Sequence, residues 1–165
     1  MNRPTLYDEV VARAFAEKLV QKIKPFVEGD DTNTTVQELI CVLAEVATDG
    51  DYEAYKMARE LDDNHHWEVS ADLVSTLDAA IPLAYEARDR LVEQWVKEEN
   101  ITPVFSVGDR VQVRGRAKFS GEITKIDTRL AQYLVFCPEK GHVRSGSGTH
   151  GTFVNFEDAE AEGVL

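Results

Sequence analysis

The chain has 165 residues, 43% of them hydrophobic and 29% charged, with a formal net charge of −12. That apolar content supplies a core and excludes a disordered acidic segment, while no apolar run approaches the roughly 20 residues of a membrane span and the N-terminus carries no leader-like apolar stretch. The charge is unevenly placed: residues 1–103 hold 10 Lys and Arg against 22 Asp and Glu, residues 104–156 hold 8 bases against 4 acids, and residues 157–165 add four acids and no base.

In the front half, Thr5 followed by Asp8 is a variant capping box and predicts a helix start. Val11, Phe15, Leu19 and Ile23 then recur every four residues, with Val10, Ala14 and Phe26 beside them, as one apolar stripe. Pro25 and the polar run 28–34 predict its end. Thr35 with Glu38 predicts a second helix carrying Val36, Leu39, Ile40, Leu43 and Val46 as far as Gly50. Asp51 is expected to cap a third, with Tyr52, Tyr55, Ala58 and Leu61 on its apolar face, running into the polar segment 62–66; Trp67 is expected to plug the core. Ser70 opens a fourth segment through Leu73, Val74 and Leu77, and Pro82 either begins a fifth helix or interrupts one longer helix. Ala84, Ala87, Leu91, Val92 and Trp95 form the last stripe. The reading is an acidic all-helical bundle of four or five helices over residues 1–102.

From residue 103 the pattern changes to period two. Val111 and Val113 point one way, and Arg110, Gln112 and Arg114 the other, which predicts a half-buried strand. Residues 121–126, 133–136 and 151–156 give three more, and eight of the ten glycines lie in this half, where turn chemistry concentrates. The expected class is α+β, the bundle being followed by a small β domain over residues 103–165 that ends in a short acidic tail.

The phrase V-G-D-R-V-Q-V-R-G, followed by F-S-G-E-I-T-K-I, Y-L-V-F and G-T-F-V-N-F-E-D-A-E, resembles the SH3-like barrels of the KOW and Tudor-like kind. The resemblance covers about residues 104–162 and implies an SH3-like β-barrel. It implies a fold better than a function. Phe119, Tyr133, Phe136, Phe153 and Phe156 fall mostly where such a barrel needs core, so a methylated-residue cage is not expected.

Arg110, Arg114, Arg116 and Lys118 share parity and would project from one face of a continued strand, with Lys125 and Arg129 joining from the next. Such a stripe contacts phosphates, or else solvates a sheet edge or docks on the acidic front half. The loop 141–151 places backbone amides beside Arg144 but lacks the order of a phosphate-binding loop. Asp62, Asp63, His65 and His66, and the looser set Cys137, His142 and His150, read as polar surface, because a closed metal site wants four well-spaced ligands. Cys41 and Cys137 are isolated thiols. No metal, cofactor or catalytic constellation is expected.

Two functions follow from the charge. The first is a cytoplasmic, non-enzymatic protein-binding adaptor or inhibitor, whose acidic helices, with Asp62 and Asp63 among the contacts, dock on a basic surface such as that of nucleic-acid-handling machinery or a nucleoprotein complex. Small acidic proteins of phages and other mobile elements that block host defence are similar in size and charge. The second is an accessory protein touching DNA or RNA through the basic face of the barrel. A protein partner ranks ahead of nucleic acid, because a chain with a pI near 4.7 repels a polyanion from most directions.

Overall fold

The structure is a computed structural model and describes residues 2–27, 35–114, 118–145 and 148–163. Four helices precede a small antiparallel sheet, an α+β arrangement that divides into two compact units, residues 1–92 and 93–165.

In the first unit α1 spans Glu9–Val27, α2 Val36–Asp49 and α3 Ala54–His65. The fourth helix, α4, spans Ala71–Glu98 and crosses the unit boundary. Among the predicted stripe, Val11, Phe15, Leu19 and Ile23 are fully buried, whereas Val10 is 59% and Phe26 40% exposed. The stripe thus widens on its other side, through Ala12, Ala16 and Val20. Leu43, Val46, Met57, Leu61, Leu73 and Leu77 are among the residues of this core, and burying each such side chain contributes about 1.5–3 kcal/mol. Trp67 packs against it from a half-buried position.

The helix ends show what local sequence controls. Thr35 and Glu38 form both halves of a capping box: the Thr35 hydroxyl accepts from the Glu38 amide at 3.2 Å, and the Glu38 carboxylate accepts from the Thr35 amide at 2.7 Å. The bonds that the Thr35 amide and then the Thr35 hydroxyl donate to it hold the Glu38 carboxyl below its usual range. At the first helix only the return bond forms, from the Thr5 amide to Asp8 at 2.8 Å, and α1 starts after it at Glu9. Pro25 lies inside the last turn of α1 and does not end it. Pro82 likewise lies inside a single helix, so the described residues of the bundle form four helices and not five. Asp51 is not the cap of α3; Glu53 occupies that position, and the chain reaches it through two successive left-handed residues, Asp51 and Tyr52, with φ of 52° and 54°. Gly50 precedes them because a side chain there would meet the Met57 amide at 2.9 Å.

Burial of Tyr52 offsets that backbone cost. Its ring packs edge-on against Phe15 at 5.5 Å, and its hydroxyl donates to the Leu6 carbonyl at 2.6 Å, fastening the N-terminal segment to the bundle. Burial, with Tyr7 and Asp8 nearby, pushes the phenol up to about 12. A phenol that ionises later when folded stabilises the native state fully below its unfolded pKa of about 10 and loses that contribution as pH climbs toward the folded value. The native protein should therefore lose stability between about pH 10 and 12 more steeply than a Tyr52→Phe variant, as read from urea midpoints; parallel profiles would show the phenol to be solvated.

The second unit is built on β1 (Arg110–Val113), β2 (Phe119–Asp127), β3 (Gln132–Phe136), β4 (Arg144–Ser145), β5 (Gly148–Thr149), β6 (Thr152–Asn155) and β7 (Ala159–Ala161). Five strands make one open antiparallel sheet in the order β6-β3-β2-β1-β7, and β4 and β5 pair separately. Val111, Val113, Ile123, Tyr133, Val135 and Val154 face its core. Gly121 is required there, because a Cβ would lie 2.5 Å from the Phe136 carbonyl oxygen. The acids after residue 156 do not form a separate tail: a 3-10 turn at Phe156–Asp158 leads into β7, which pairs antiparallel with β1. No helix among the described residues is long and apolar enough to cross a membrane.

Candidate partner-binding surfaces

The strand pairing decides what the basic stripe faces. Gln112 lies opposite Glu160, and the Glu162 amide bonds the Arg110 carbonyl, so Glu160 and Glu162, in and just after β7, share one side of the sheet with Arg110 and Arg114, at the start of β1 and just after its end. Arg110 forms a two-pronged contact with Glu162, and Arg114 pairs with Glu160. The hydrogen bond from Arg110 holds the Glu162 carboxyl below its usual range, and the Glu162 bond raises the Arg110 guanidinium in turn. Arg129 is held by Glu93 at 3.0 Å and by Asp127 at 3.8 Å, and Arg144 by Glu122 at 2.8 Å. Every arginine described in the second unit therefore has a carboxylate of its own unit.

The lysines differ. Lys118 and Lys125 are exposed, and no carboxylate pairs with either among the described residues. Lys118 lies between β1 and β2, in neither strand, and Arg116 lies outside the described residues. Lys125 reaches the outer face because the β2–β3 register shifts between Ile123 and Lys125, placing Lys125 opposite Leu134.

Of the five aromatics, most of which were expected in the core, Tyr133 and Phe156 are buried. Phe119 and Phe136 are half-buried and flank His142, each with its ring centroid 6.4 Å from the imidazole. Lys140 lies 4.7 Å over the Phe119 ring and Arg144 4.5 Å over that of Phe136. Both His142 nitrogens are engaged, Nδ1 accepting from the Cys137 amide at 2.9 Å and Nε2 pairing with the Thr152 hydroxyl at 3.0 Å. Phe153 is 57% exposed on the neighbouring edge strand.

In the first unit, Asp62 and Asp63 are exposed on α3, and Asp63 pairs with Arg59 one turn earlier at 3.1 Å. The residues after them close the helix: His66 adopts the left-handed conformation, with φ of 57°, and the Trp67 amide bonds the Leu61 carbonyl at 3.0 Å. A concavity of about 370 Å³ opens between α1 and α2. Ala12 and Ile40 are its buried floor, Ala44 is half-buried, and Tyr7, Glu9, Arg13, Cys41 and Glu45 form an exposed rim. Nothing in the sequence pattern marks it, since it arises where two helices with small residues at their contact leave space between them. Compared with known protein families, curated proteins and solved structures, the chain matches none.

Proposed function

We propose that this chain is a non-enzymatic protein-binding adaptor or inhibitor whose acidic helical unit docks on a basic surface of a partner, such as the cleft of a nucleic-acid-handling protein. The observation that carries this reading is where charge is left over. The first unit, residues 1–92, holds 19 acids against 9 bases, a net of −10; the second, residues 93–165, holds 11 against 9, a net of −2. A field of one sign over a whole unit steers a basic partner, whereas paired surface charges within the other largely cancel.

The second unit is best read as SH3-like. Its support is the connectivity: a β1-β2-β3-β6 meander whose last strand, β7, returns beside the first after a 3-10 turn, which is the pairing a five-strand sheet needs to curl toward a barrel. One observation favours contact of this unit with nucleic acid, namely the half-buried Phe119 and Phe136 with Lys140 and Arg144 against them. Those cations already cover the rings, and Arg144 already has Glu122, so this is the second reading.

The test is charge reversal on the helical unit. Asp62→Lys with Asp63→Lys should weaken binding to the partner roughly tenfold at low salt and much less at high salt, with thermal stability unchanged. If these and other acidic reversals on the unit leave affinity as it was, docking is not guided by charge.

A further inference from the structure

We infer that the groove between α1 and α2 is the anchor site for a basic amphipathic helix of the partner, which inserts apolar side chains between the two helices. The inference rests on the docking reading and adds where contact is made and with what. The lining is apolar at its base, at Ala12, Ile40 and Ala44, and the two alanines leave room for a bulky side chain to enter. Its volume of about 370 Å³ exceeds one aliphatic side chain. One wall follows the α2 row Cys41, Glu45 and Thr48, seven helical steps or about 10 Å, which is about two turns and leaves room for two anchors one turn, three or four residues, apart on a docked helix. Tyr7, 67% exposed at the rim, supplies a largely uncovered aromatic face.

Charge selects the occupant. Of the rim charges, Arg13 is drawn to Glu17 at 3.8 Å, while Glu9 and Glu45 have no cationic partner among the described residues. Lysines or arginines flanking the apolar anchors would meet those carboxylates. A second copy of this chain is disfavoured, because two units of −10 each would be brought face to face.

The exposed Cys41 thiol on the wall reports occupancy, since Cys137 is buried. The probes are synthetic peptides of about 18 residues, or five helical turns: a Leu/Lys amphipathic helix, a Lys/Ser peptide of equal charge and a Leu/Glu amphipathic helix. At saturation, the Leu/Lys peptide is expected to slow Cys41 alkylation at least tenfold, with the other two leaving it unchanged. Ala44→Trp, which fills the groove, should reduce Leu/Lys binding to the Lys/Ser level. A bulky maleimide attached to Cys41 after folding should do the same and covers the case in which Ala44→Trp fails to fold. Leu/Lys binding with Cys41 fully reactive overturns the groove and leaves charge-guided docking intact. Equal protection by the Leu/Glu peptide overturns the choice of a basic occupant. Absence of any Leu/Lys binding at low salt overturns both the groove and the docking reading.

Discussion

Replacing Tyr133 by alanine is expected to destabilise the second unit by about 3–5 kcal/mol, the cost of removing a large aromatic from a closed core. Tyr133 is the largest fully buried side chain of the protein's described residues. Its ring lies 4.3 Å from that of Phe156 and 6.1 Å from that of Phe105, and its hydroxyl accepts from the Val104 and Phe105 amides at 3.0 and 3.1 Å. One residue thus joins β3, the 3-10 turn before β7 and the segment leading into β1. For a unit of 73 residues, total stability is of order 4–11 kcal/mol, so the alanine variant should sit near its unfolding threshold. Tyr133→Phe keeps the ring and should cost about 1–2 kcal/mol, because the two freed amides recover only part of their hydrogen bonding from water. Urea unfolding followed by the β-sheet circular dichroism signal measures both. An alanine variant within 1 kcal/mol of the parent, roughly the size of an ordinary surface change, would mean that this ring does not hold the unit together.

The second large effect concerns β7. Glu160→Gln with Glu162→Gln removes the carboxylates that hold Arg114 and Arg110, leaving two arginines on one face of the sheet without their partners. The whole chain should then bind single-stranded nucleic acid at low salt about 10- to 100-fold more tightly than the parent, with a steeper salt dependence, because each freed cation can replace a condensed counterion. The sheet itself should change little in stability, since exposed ion pairs contribute about 0–1 kcal/mol. Electrophoretic mobility or fluorescence anisotropy with a short oligonucleotide reads the difference. A parent that already binds as tightly as the variant would show that β7 masks nothing.

How much of this was legible in the residues depended on how local the cause was. Thr35 and Glu38 fixed a helix start because both bonds of the box are made within four residues. Val111 and Val113 marked β1 because alternation needs only the strand itself. Pro82 could not be placed by sequence: whether a helix continues past a missing amide depends on the packing of Leu77, Ala80 and Ala84 on either side, all fully buried. The acids in and just after β7 are the instructive miss. Glu160 and Glu162 repeat every second residue, as do Arg110, Gln112 and Arg114, and that matched alternation is the available signal for a pairing. The outward Lys125 depended on a register shift that no alternation rule supplies, and the groove beside Ala12 and Ala44 depended on two helices meeting.

The most direct test of the central claim is affinity capture from a cell lysate with the whole chain as bait, run with and without nuclease at low and high salt, beside a variant with Asp62→Lys and Asp63→Lys. Charge-guided protein docking predicts a stoichiometric protein partner that survives nuclease, weakens with salt and is depleted on the charge-reversed bait. Recovery that vanishes with nuclease and is indifferent to the reversal would contradict it and assign binding to the sheet.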